Sequence, residues 1–302
     1  MEYTQELSAA LKELERITGI RMNVAADTPE QTELALSQVR CLCIAYKEKY
    51  DKTHFLQSLF TGNLTPYDIS ERARRLHIEP DVSRTLFLLE TASDNDNTVN
   101  EVIKHLFPSP TKTFLVPVSD HIRAILRPMK QDETAADIEQ IAHTIVDTLN
   151  MEALVSVQVA YSPVLKHLSE AAEAFRDTSL TLSVGKIFYS GQTVFPPGRL
   201  GIGRLIYQLP IPTCKDFLHE IFGSNIPEYM DKDFYSAVET FFSNSFNISE
   251  TARQLHMHRN TLIYRLDMLQ KHTGLDIRKF EDAMTFKIAS MIINYLEQLP
   301  TA

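Results

Sequence analysis

The stretch NISETARQLHMHRNTLIYRLDMLQKHTGLDI, residues 247–277, decides how the C-terminal part of the chain folds. Its first four residues, NISE, form a capping-box pattern, in which the asparagine and glutamate side chains satisfy each other's free backbone N–H groups. The pattern predicts a short helix that starts at Ile248 and ends near His256. The apolar face of this helix contains Ala252 and Leu255, and the small alanine suits a close crossing by a second helix.

A second helical pattern follows the turn His256-Met257-His258. Leu262, Leu266 and Leu269 recur at spacings of four and three, so they lie on one face of a helix that ends near Thr273-Gly274. The two helices would bury their apolar faces against each other in one small core. This organisation is that of a helix-turn-helix module.

The outward-facing residues at the start of the second helix share the ability to hydrogen-bond to bases or phosphates. They are His258, Arg259, Asn260, Thr261, Tyr264 and, one turn further on, Arg265. In a recognition helix the N-terminal residues enter the major groove, where arginine pairs with guanine, asparagine with adenine, and a threonine hydroxyl with phosphate. These six residues are the predicted DNA-binding set, and the predicted partner is double-stranded DNA.

The chain is acidic overall but basic around this module. The formal net charge is -9 at pH 7, whereas residues 247–287 contain seven Lys or Arg against five Asp or Glu. The module thus carries about +2 and the remainder about -11. An acidic remainder repels DNA, so we expect docking through this one face. The same acidity argues against an anionic membrane as a partner.

Residues 247–277 closely resemble, without gaps, the C-terminal domain of the PucR/CdaR-type family, the purine-catabolism and sugar-diacid regulators of bacteria. Residues 252–266 are also similar to the helix-turn-helix of the factor for inversion stimulation. This second resemblance implies base or phosphate contacts by His258, Arg259, Thr261 and Tyr264. Ile263 departs from the pattern, because the family commonly has a basic residue there, and the difference bears on backbone contact or on the preferred sequence.

Upstream of the module, short apolar runs alternate with helical patterns. The runs are TLFLLE, TFLVPV, HIRAILR and residues 155–161, and the helical patterns cover 99–107, 135–149 and 164–182. Short apolar runs bounded by turn residues are typical of strands. The two strands that flank Ser119-Asp120 should form a hairpin, and the alternation predicts a compact α/β domain.

The family resemblance extends to DFYSAVETFFSNSFNISETA and to FLQSLFTGNLTPYDISERARRLHI. It implies that residues 81–190 form the family's degenerate relative of the diguanylate cyclase domain, known as GGDEF-like. A working cyclase needs an acidic, glycine-rich hairpin turn for close backbone approach to the nucleotide and for metal. The chain has PVSDH at residues 117–121 instead, so we expect no enzymatic activity, no cofactor, and a role as scaffold or dimer contact.

The N-terminal region shows helical spacing in two segments. The first segment contains Leu7, Leu11 and Leu14, and the second follows the start signal Thr28-Pro29. The second segment is expected to present Leu34, Val39, Leu42 and Tyr46. Shorter helices are predicted over 53–60 and over 66–76, the latter with Ile69, Ala73 and Leu76 buried.

These patterns predict an α+β multidomain fold with four regions. They are a helical N-terminal region over 1–80, the GGDEF-like α/β domain over 81–190, a linker and helix over 191–230, and the all-α helix-turn-helix domain over 231–302. The boundary after the central domain rests on YSGQTVFPPGRLGIG, because glycine and proline break regular structure.

The last helical pattern, over 279–299, has a wide apolar stripe. Its members are Phe280, Met284, Ile288, Met291, Ile292 and Tyr295. Part of this stripe should pack on the module, and the remainder would pair two protomers. A homodimer would present two recognition helices to successive major grooves, about 34 Å apart. A small-molecule effector is also expected, but the N-terminal region is too generic to identify it.

Three cysteines, none in a CxxC pair, predict a reduced, cytoplasmic protein, and the charged N-terminal segment lacks the apolar core of a signal peptide. We expect no metal site, since no cysteine or carboxylate completes a ligand set with His256, His258 and His272. One alternative function stays open, a non-DNA-binding interaction or nucleotide-signalling protein in which the helix pair is structural. The cluster HRNT argues against it, and a substitution of Arg259 distinguishes the two.

Overall fold

The computed structural model describes residues 2–24, 28–92, 96–109, 112–189, 191–223 and 232–299. The chain divides into two compact units, Met1–Ser183 with Gly191–Arg199, and Val184–Ser190 with Leu200–Ala302. The fold is α+β, as the sequence predicts. Within the described residues, no helix combines the length and the apolar character that crossing a membrane requires.

The first unit begins with two helices packed against each other, α1 (Glu2–Thr18) and α2 (Pro29–Tyr50). Their core is made by Leu7, Ala10, Leu14, Ala35, Leu36, Val39 and Cys43. The prediction for the buried face of α2 was wrong in part, because Leu34 and Leu42 are exposed. The buried row instead runs through Leu36, Val39 and Cys43, which are spaced three and four apart and face α1.

Two short helices follow, α3 (Lys52–Thr61) and α4 (Pro66–Arg75). The carboxylate of Asp51 caps α3 by accepting the N–H groups of Thr53 and His54, and Gly62 ends the helix with φ +75°, a conformation that favours glycine. Thr65 and Asp68 form a reciprocal capping box at the start of α4. Ile69, Ala73 and Leu76 are buried as predicted.

The remainder of the first unit is a five-stranded sheet with helices. Its elements are β1 (Arg84–Thr91), α5 (Asp96–Leu106), β2 (Phe114–Pro117), β3 (Ile122–Pro128), α6 (Ala135–Thr148), β4 (Val157–Tyr161), α7 (Ala171–Phe188) and β5 (Val194–Phe195). The end of α7, from Val184, belongs to the second unit. The strand order is β2-β3-β1-β4-β5. All pairs are antiparallel except β4 with β5, which are parallel. The predicted strands and the predicted hairpin are confirmed.

The central strand β1 is buried on both faces, which explains its nearly continuous apolar run. Phe87 lies opposite Ile125 on β3 and opposite Tyr161 on β4. On this face the strands pack against α5 and α6, through Val99, Ile103, Ile138, Ala142 and Ile145. The opposite face of β1 carries Leu86 and Leu88, which are also buried.

Two segments of the sheet region differ from the sequence expectation. The helix expected over 164–182 begins later, at Ala171, because Leu165 exchanges both backbone hydrogen bonds with Arg84 and so extends the sheet. The glycine- and proline-rich segment expected as a connection contributes the strand β5, whose pairing with β4 makes it part of the sheet. Neither feature has a local signal, since each depends on a partner strand distant in sequence.

The second unit is helical. Its helices are α8 (Gly201–Gln208), α9 (Ile211–Phe222), α10 (Lys232–Ser243), α11 (Ile248–Gln254), α12 (Arg259–Thr273) and α13 (Phe280–Glu297). The long α13 buries Ala283 and Phe286 in the core that holds α10, α11 and α12. Further along, Met291, Ile292 and Tyr295 pack with Ile206 of α8 and Cys214 of α9.

The apolar stripe predicted on α13 is only partly buried. Phe280 and Met284 are exposed, whereas Met291, Ile292 and Tyr295 are buried as expected. The first two turns of the helix therefore carry apolar surface that the described residues do not cover.

Candidate nucleic-acid interface

The helix α11 starts at Ile248, as predicted, because Asn247 caps it. The Asn247 Oδ1 atom accepts the N–H groups of Ser249 and Glu250, both at 3.1 Å. The reciprocal half of the predicted capping box is absent from the described contacts of Glu250. Its carboxylate instead pairs with Arg253, with 3.0 Å between Nε and Oε2, and the N–H of Asn247 donates to the carbonyl of Asn244.

A tight turn joins α11 to α12. His256 adopts a left-handed backbone with φ +50°, and the next N–H, that of Met257, donates to the carbonyl of Ala252 at 2.9 Å. This pair of features closes the C-terminus of α11 in a Schellman-type turn. Asn244, which precedes α11 in the chain, also contacts this helix. Its Nδ2 atom donates a hydrogen bond to Gln254 Oε1 at 2.8 Å.

The helix α12 is capped at both ends. The Nδ1 atom of His258 lies 3.2 Å from the backbone nitrogen of Asn260 and accepts its N–H, so the neutral imidazole carries its proton on Nε2. At the other end Gly274 has φ +76° and donates its N–H to Gln270. Between these caps Leu262, Leu266 and Leu269 are buried as the sequence predicts.

The six predicted contact residues are placed together on the surface at the start of α12. His258, Arg259, Asn260, Thr261 and Tyr264 are exposed, and Arg265 is half-buried. Asn260 and Tyr264 form one row, four residues apart, and Thr261 and Arg265 form the neighbouring row. From His258 to Arg265 the helix rises about 10 Å, which is close to the width of the major groove, about 12 Å.

Some basic residues of this helical region form ion pairs with carboxylates, and others have no such partner. Arg253 pairs with Glu250, Arg278 pairs with Asp276 and Asp267, and Lys287 pairs with Glu239. In the part of the chain that the structure describes, neither Arg259 nor Arg265 has a carboxylate partner. Arg259 and Arg265 therefore add positive charge without a described carboxylate partner to the surface of the predicted contact residues.

The turn of the β2–β3 hairpin is where a working cyclase would have its acidic, glycine-rich signature. The Ser119 Oγ atom accepts the N–H of Ile122 at 3.2 Å, and Asp120 is the only acidic residue of the turn. Nearby, the buried Arg123 donates from Nε to Asn100 at 3.1 Å and from Nη1 to Thr91 at 3.1 Å, and burial lowers its pKa. Among the residues that the structure describes, no group of three or more His, Cys, Asp or Glu could hold a metal ion.

Two family models match the chain. The PucR C-terminal helix-turn-helix domain matches residues 235–292, and the GGDEF-like domain matches residues 61–184. The chain belongs to the PucR/CdaR-type family. The helix-turn-helix match of this PucR/CdaR-type chain extends from α10 into α13, so it includes α11, α12 and parts of the two helices that flank them.

Known relatives align with parts of this PucR/CdaR-type chain. The purine catabolism regulatory protein of Bacillus subtilis (strain 168) is 25% identical over 135 residues, which are 44% of this chain and 25% of that protein. The uncharacterized protein YxkF of the same organism is 33% identical over 64 residues, 21% of this chain and 20% of that protein. The aligned residues thus span a quarter or less of the length of these relatives.

One solved structure also aligns with this PucR/CdaR-type chain, the regulator of polyketide synthase expression from Bifidobacterium adolescentis. Its TM-score is 0.38 at 16% identity, and the alignment covers 85% of this chain and 95% of that chain.

Sequence reasoning identified the exposed residues of α12 but missed the groups that hold the module in shape. Asn244 lies before α11, outside the predicted module, and its contacts with Gln254 and Thr251 depend on the turn between the helices. Sequence reasoning also passed over the arginines inside the apolar strands. Arg84 and Arg127 are both buried, and an arginine within an apolar run was the available signal.

Proposed function

We propose that this chain is a sequence-specific DNA-binding transcriptional regulator that contacts bases in the major groove with the start of α12. The observation that carries the proposal is the division of this helix into two faces. Leu262, Leu266 and Leu269 anchor one face in the core, while the opposite face presents polar side chains from its first turns. A rigidly anchored helix with a polar, exposed N-terminal face has the geometry of a recognition helix.

Each contact residue has a chemical role in this proposal. Arg259 donates bidentately to guanine or to phosphate, and Asn260 pairs with adenine. Thr261 and Tyr264 donate hydrogen bonds from their hydroxyl groups to phosphate oxygens, and Arg265 contributes positive charge from the next turn. The His258 cap uses Nδ1 inside the helix, which leaves the N–H at Nε2 as its outward donor.

Electrostatics supports docking through this surface. Because the chain carries a net charge of -9, most of its surface repels the phosphate backbone. Arg253, Arg278 and Lys287 already have carboxylate partners. Arg259 and Arg265, for which the described residues supply no such partner, would displace counterions from DNA and gain the most from contact.

The protein would act as a homodimer that responds to a small-molecule effector. The exposed side chains of Phe280 and Met284, one turn apart on α13, support an apolar contact between protomers. The central GGDEF-like domain would serve as a scaffold or dimer contact rather than as an enzyme, because its hairpin turn carries Asp120 as its only acid.

The decisive experiment is a selection from fragmented genomic DNA with the purified chain at fixed, moderate salt, in parallel with Arg259→Ala. We expect the wild type to enrich a sequence motif. Arg259→Ala should lose about 1–3 kcal/mol of specific binding, which is roughly a 5-fold to 150-fold weaker affinity. The matched control is Arg21→Ala, which removes the same charge from an exposed arginine in the other unit and should enrich the wild-type motif.

The unfolding transition of Arg259→Ala should match that of the wild type, because the side chain is exposed. If the wild type enriched a motif and Arg259→Ala enriched it equally, the assignment of α12 as the recognition helix would be wrong. If the wild type enriched nothing in the presence or absence of candidate effectors, the helix pair would be structural. The non-DNA-binding alternative would then hold.

A further inference from the structure

The helix α12 carries an acidic residue on the side that the proposed function turns toward DNA. Asp267 follows Tyr264 by three residues and Asn260 by seven, and these spacings place the three side chains in one row of the helix. The Asp267 side chain is 55% exposed. Neighbours in such a row have Cβ atoms about 5–6 Å apart. The carboxylate therefore lies beside the tyrosine to which we assign a phosphate contact.

A carboxylate at this place opposes DNA binding unless a cation offsets its charge. Duplex DNA carries one negative charge for about every 1.7 Å of helix axis. At 0.1 M salt charges are screened over about 10 Å, which exceeds the distance between neighbouring side chains of the row. Asp267 would thus repel the phosphates that Tyr264 approaches.

Arg278 supplies the cation from the loop between α12 and α13. Its Nη1 atom donates to Asp267 Oδ1 at 2.8 Å, and its Nη2 atom donates to Gln270 Oε1 at 2.8 Å. Asp267 and Gln270 are three residues apart, so the planar guanidinium spans two adjacent side chains of α12. The acidic side chain of the row is therefore paired with a charge that comes from outside the helix.

The loop holds Arg278 in this position. The Nε atom donates to Asp276 Oδ1 at 2.6 Å, and the same oxygen accepts the backbone N–H of Arg278 at 3.2 Å. Asp276 in turn donates its backbone N–H to Asp282 of α13 at 3.0 Å. Burial would raise the pKa of Asp276, but hydrogen bonds from Arg278 and the charges of Arg278 and Lys279 lower it. A second cation thus acts on Asp276, the other carboxylate that Arg278 contacts.

All three nitrogens of the Arg278 guanidinium have acceptors on the protein, and 32% of the side chain is exposed. Arg259 differs, because it is exposed and the described residues supply it with no carboxylate partner. The two arginines therefore suit different tasks, Arg259 the contact with DNA and Arg278 the arrangement of the surface that makes contact.

We propose that Arg278 is a positioning residue for DNA binding that acts through Asp267. It offsets the Asp267 carboxylate and holds it toward the loop, so that the phosphate backbone can approach Tyr264. The inference rests on the proposed function, because it takes the row of Asn260 and Tyr264 as the side that faces DNA.

A double-mutant cycle on the full chain tests this role, with the motif that the wild type enriches as the DNA probe. Arg278→Gln should weaken binding at 0.1 M salt at least about threefold, since it leaves the Asp267 charge beside the phosphates. In the Asp267→Asn background the same change should weaken binding less than about twofold, because the charge on which it acts is gone. Asp267→Asn alone should bind as tightly as the wild type or more tightly.

Two further variants separate this role from a general effect on the fold. Arg278→Lys keeps the positive charge and should lose less affinity than Arg278→Gln. The matched control is Lys287→Gln, which removes one paired positive charge from the same unit but pairs with Glu239 of α10 instead of α12. The control should bind within about twofold of its parent in both backgrounds.

Equal losses for Arg278→Gln in the two backgrounds would overturn the proposal, because Arg278 would then act on DNA or on the fold without Asp267. Weaker binding by Asp267→Asn would overturn it too, since the carboxylate itself would then contribute to binding. A wild type that enriches and binds no motif removes the proposed function and this inference with it. A wild type that binds its motif with equal losses in both backgrounds removes this inference alone.

Discussion

Residues with left-handed backbone mark the places where the chain must turn without glycine. His77, Leu154, Ser245, Phe246 and His256 all have φ between +50° and +65°. In L-residues this conformation brings the Cβ atom too close to the carbonyl and costs about 1–2 kcal/mol. Leu154 is the simplest case, because it ends a π-helical turn and 86% of it is exposed, so no buried apolar contact compensates the strain.

We expect Leu154→Gly to raise the free energy of unfolding by about 0.5–1 kcal/mol, the relief of backbone strain less the added entropy of the unfolded chain. The measurement is thermal and denaturant unfolding. Met151→Gly is the matched control, since Met151 is 72% exposed in the same turn but has negative φ, and it should lose about 1 kcal/mol. Equal losses for both variants would show that the left-handed conformation of Leu154 stores no strain.

The residue scale is also where sequence reasoning about the module worked best. Exposure of His258 to Thr261 and burial of Leu262 follow from helical spacing alone. The spacing did not reveal that His258 caps the helix through Nδ1, because that contact depends on the ring conformation. Nor did it reveal that Arg278 binds Asp267 and Gln270, which lie eleven and eight residues earlier in the chain, on α12.

Among the helices, two similar capping-box patterns form different sets of hydrogen bonds. The pair Thr134 and Asp137 forms both hydrogen bonds of a capping box at the start of α6. The similar pair Asn247 and Glu250 forms one, because Arg253 lies three residues after Glu250 and binds its carboxylate. Arg253 therefore takes the place of the backbone N–H as the partner of the Glu250 carboxylate. The four-residue capping-box pattern does not include position 253, so it does not predict this contact.

The capping box of α6 should make stability depend on pH in the acid range. The backbone N–H of Thr134, and then its hydroxyl, lower the pKa of Asp137 below its usual 3.8. Because the folded pKa is depressed, the stabilisation is present above the unfolded pKa and is lost as the pH falls through the folded pKa. We expect the stability difference between wild type and Asp137→Asn to shrink between about pH 5 and pH 2.

Denaturant unfolding at several pH values measures this difference, and NMR titration of the Asp137 carboxyl checks the direction of the pKa. Asp132→Asn, at an exposed position before the helix, is the control and should show no such change. A titration midpoint for Asp137 at or above 3.8 would contradict the assignment.

The helix α2 illustrates the limit of periodicity at this scale. Its sequence offers two apolar rows, one through Leu34 and Leu42 and the other through Leu36, Val39 and Cys43. Both rows have helical spacing, so the pattern predicts the helix but not its buried side. Packing against α1 selects the second row.

At the scale of the whole molecule, the predicted homodimer follows from apolar surface on α13. Light scattering coupled to size exclusion should give twice the chain mass of 34.4 kDa. Phe280→Glu should shift the protein toward monomer, because it places a charge in the proposed contact. Glu281→Ala, an exposed change on the same helix turn, should leave the dimer intact. A strict monomer for the wild type at working concentration would contradict the prediction.

Dimerisation would also determine which kind of DNA motif the selection enriches. Two recognition helices should enrich a paired motif with half-sites about 10 base pairs apart, centre to centre. The Phe280→Glu variant should enrich single half-sites with lower affinity, since each protomer would then bind alone.

Local spacing and capping within a few residues were enough to predict the helix-turn-helix, the exposed polar residues at the start of α12 and the strands of the central sheet. Three features depend on long-range packing: the side of α2 that is buried, the pairing of residues 194–195 with β4, and the cavity that Arg84 and Arg127 both line. Strand pairing depends on segments that are distant in sequence. Arg84 on β1 lies opposite Pro128 on β3, and no local period encodes which strand becomes the neighbour.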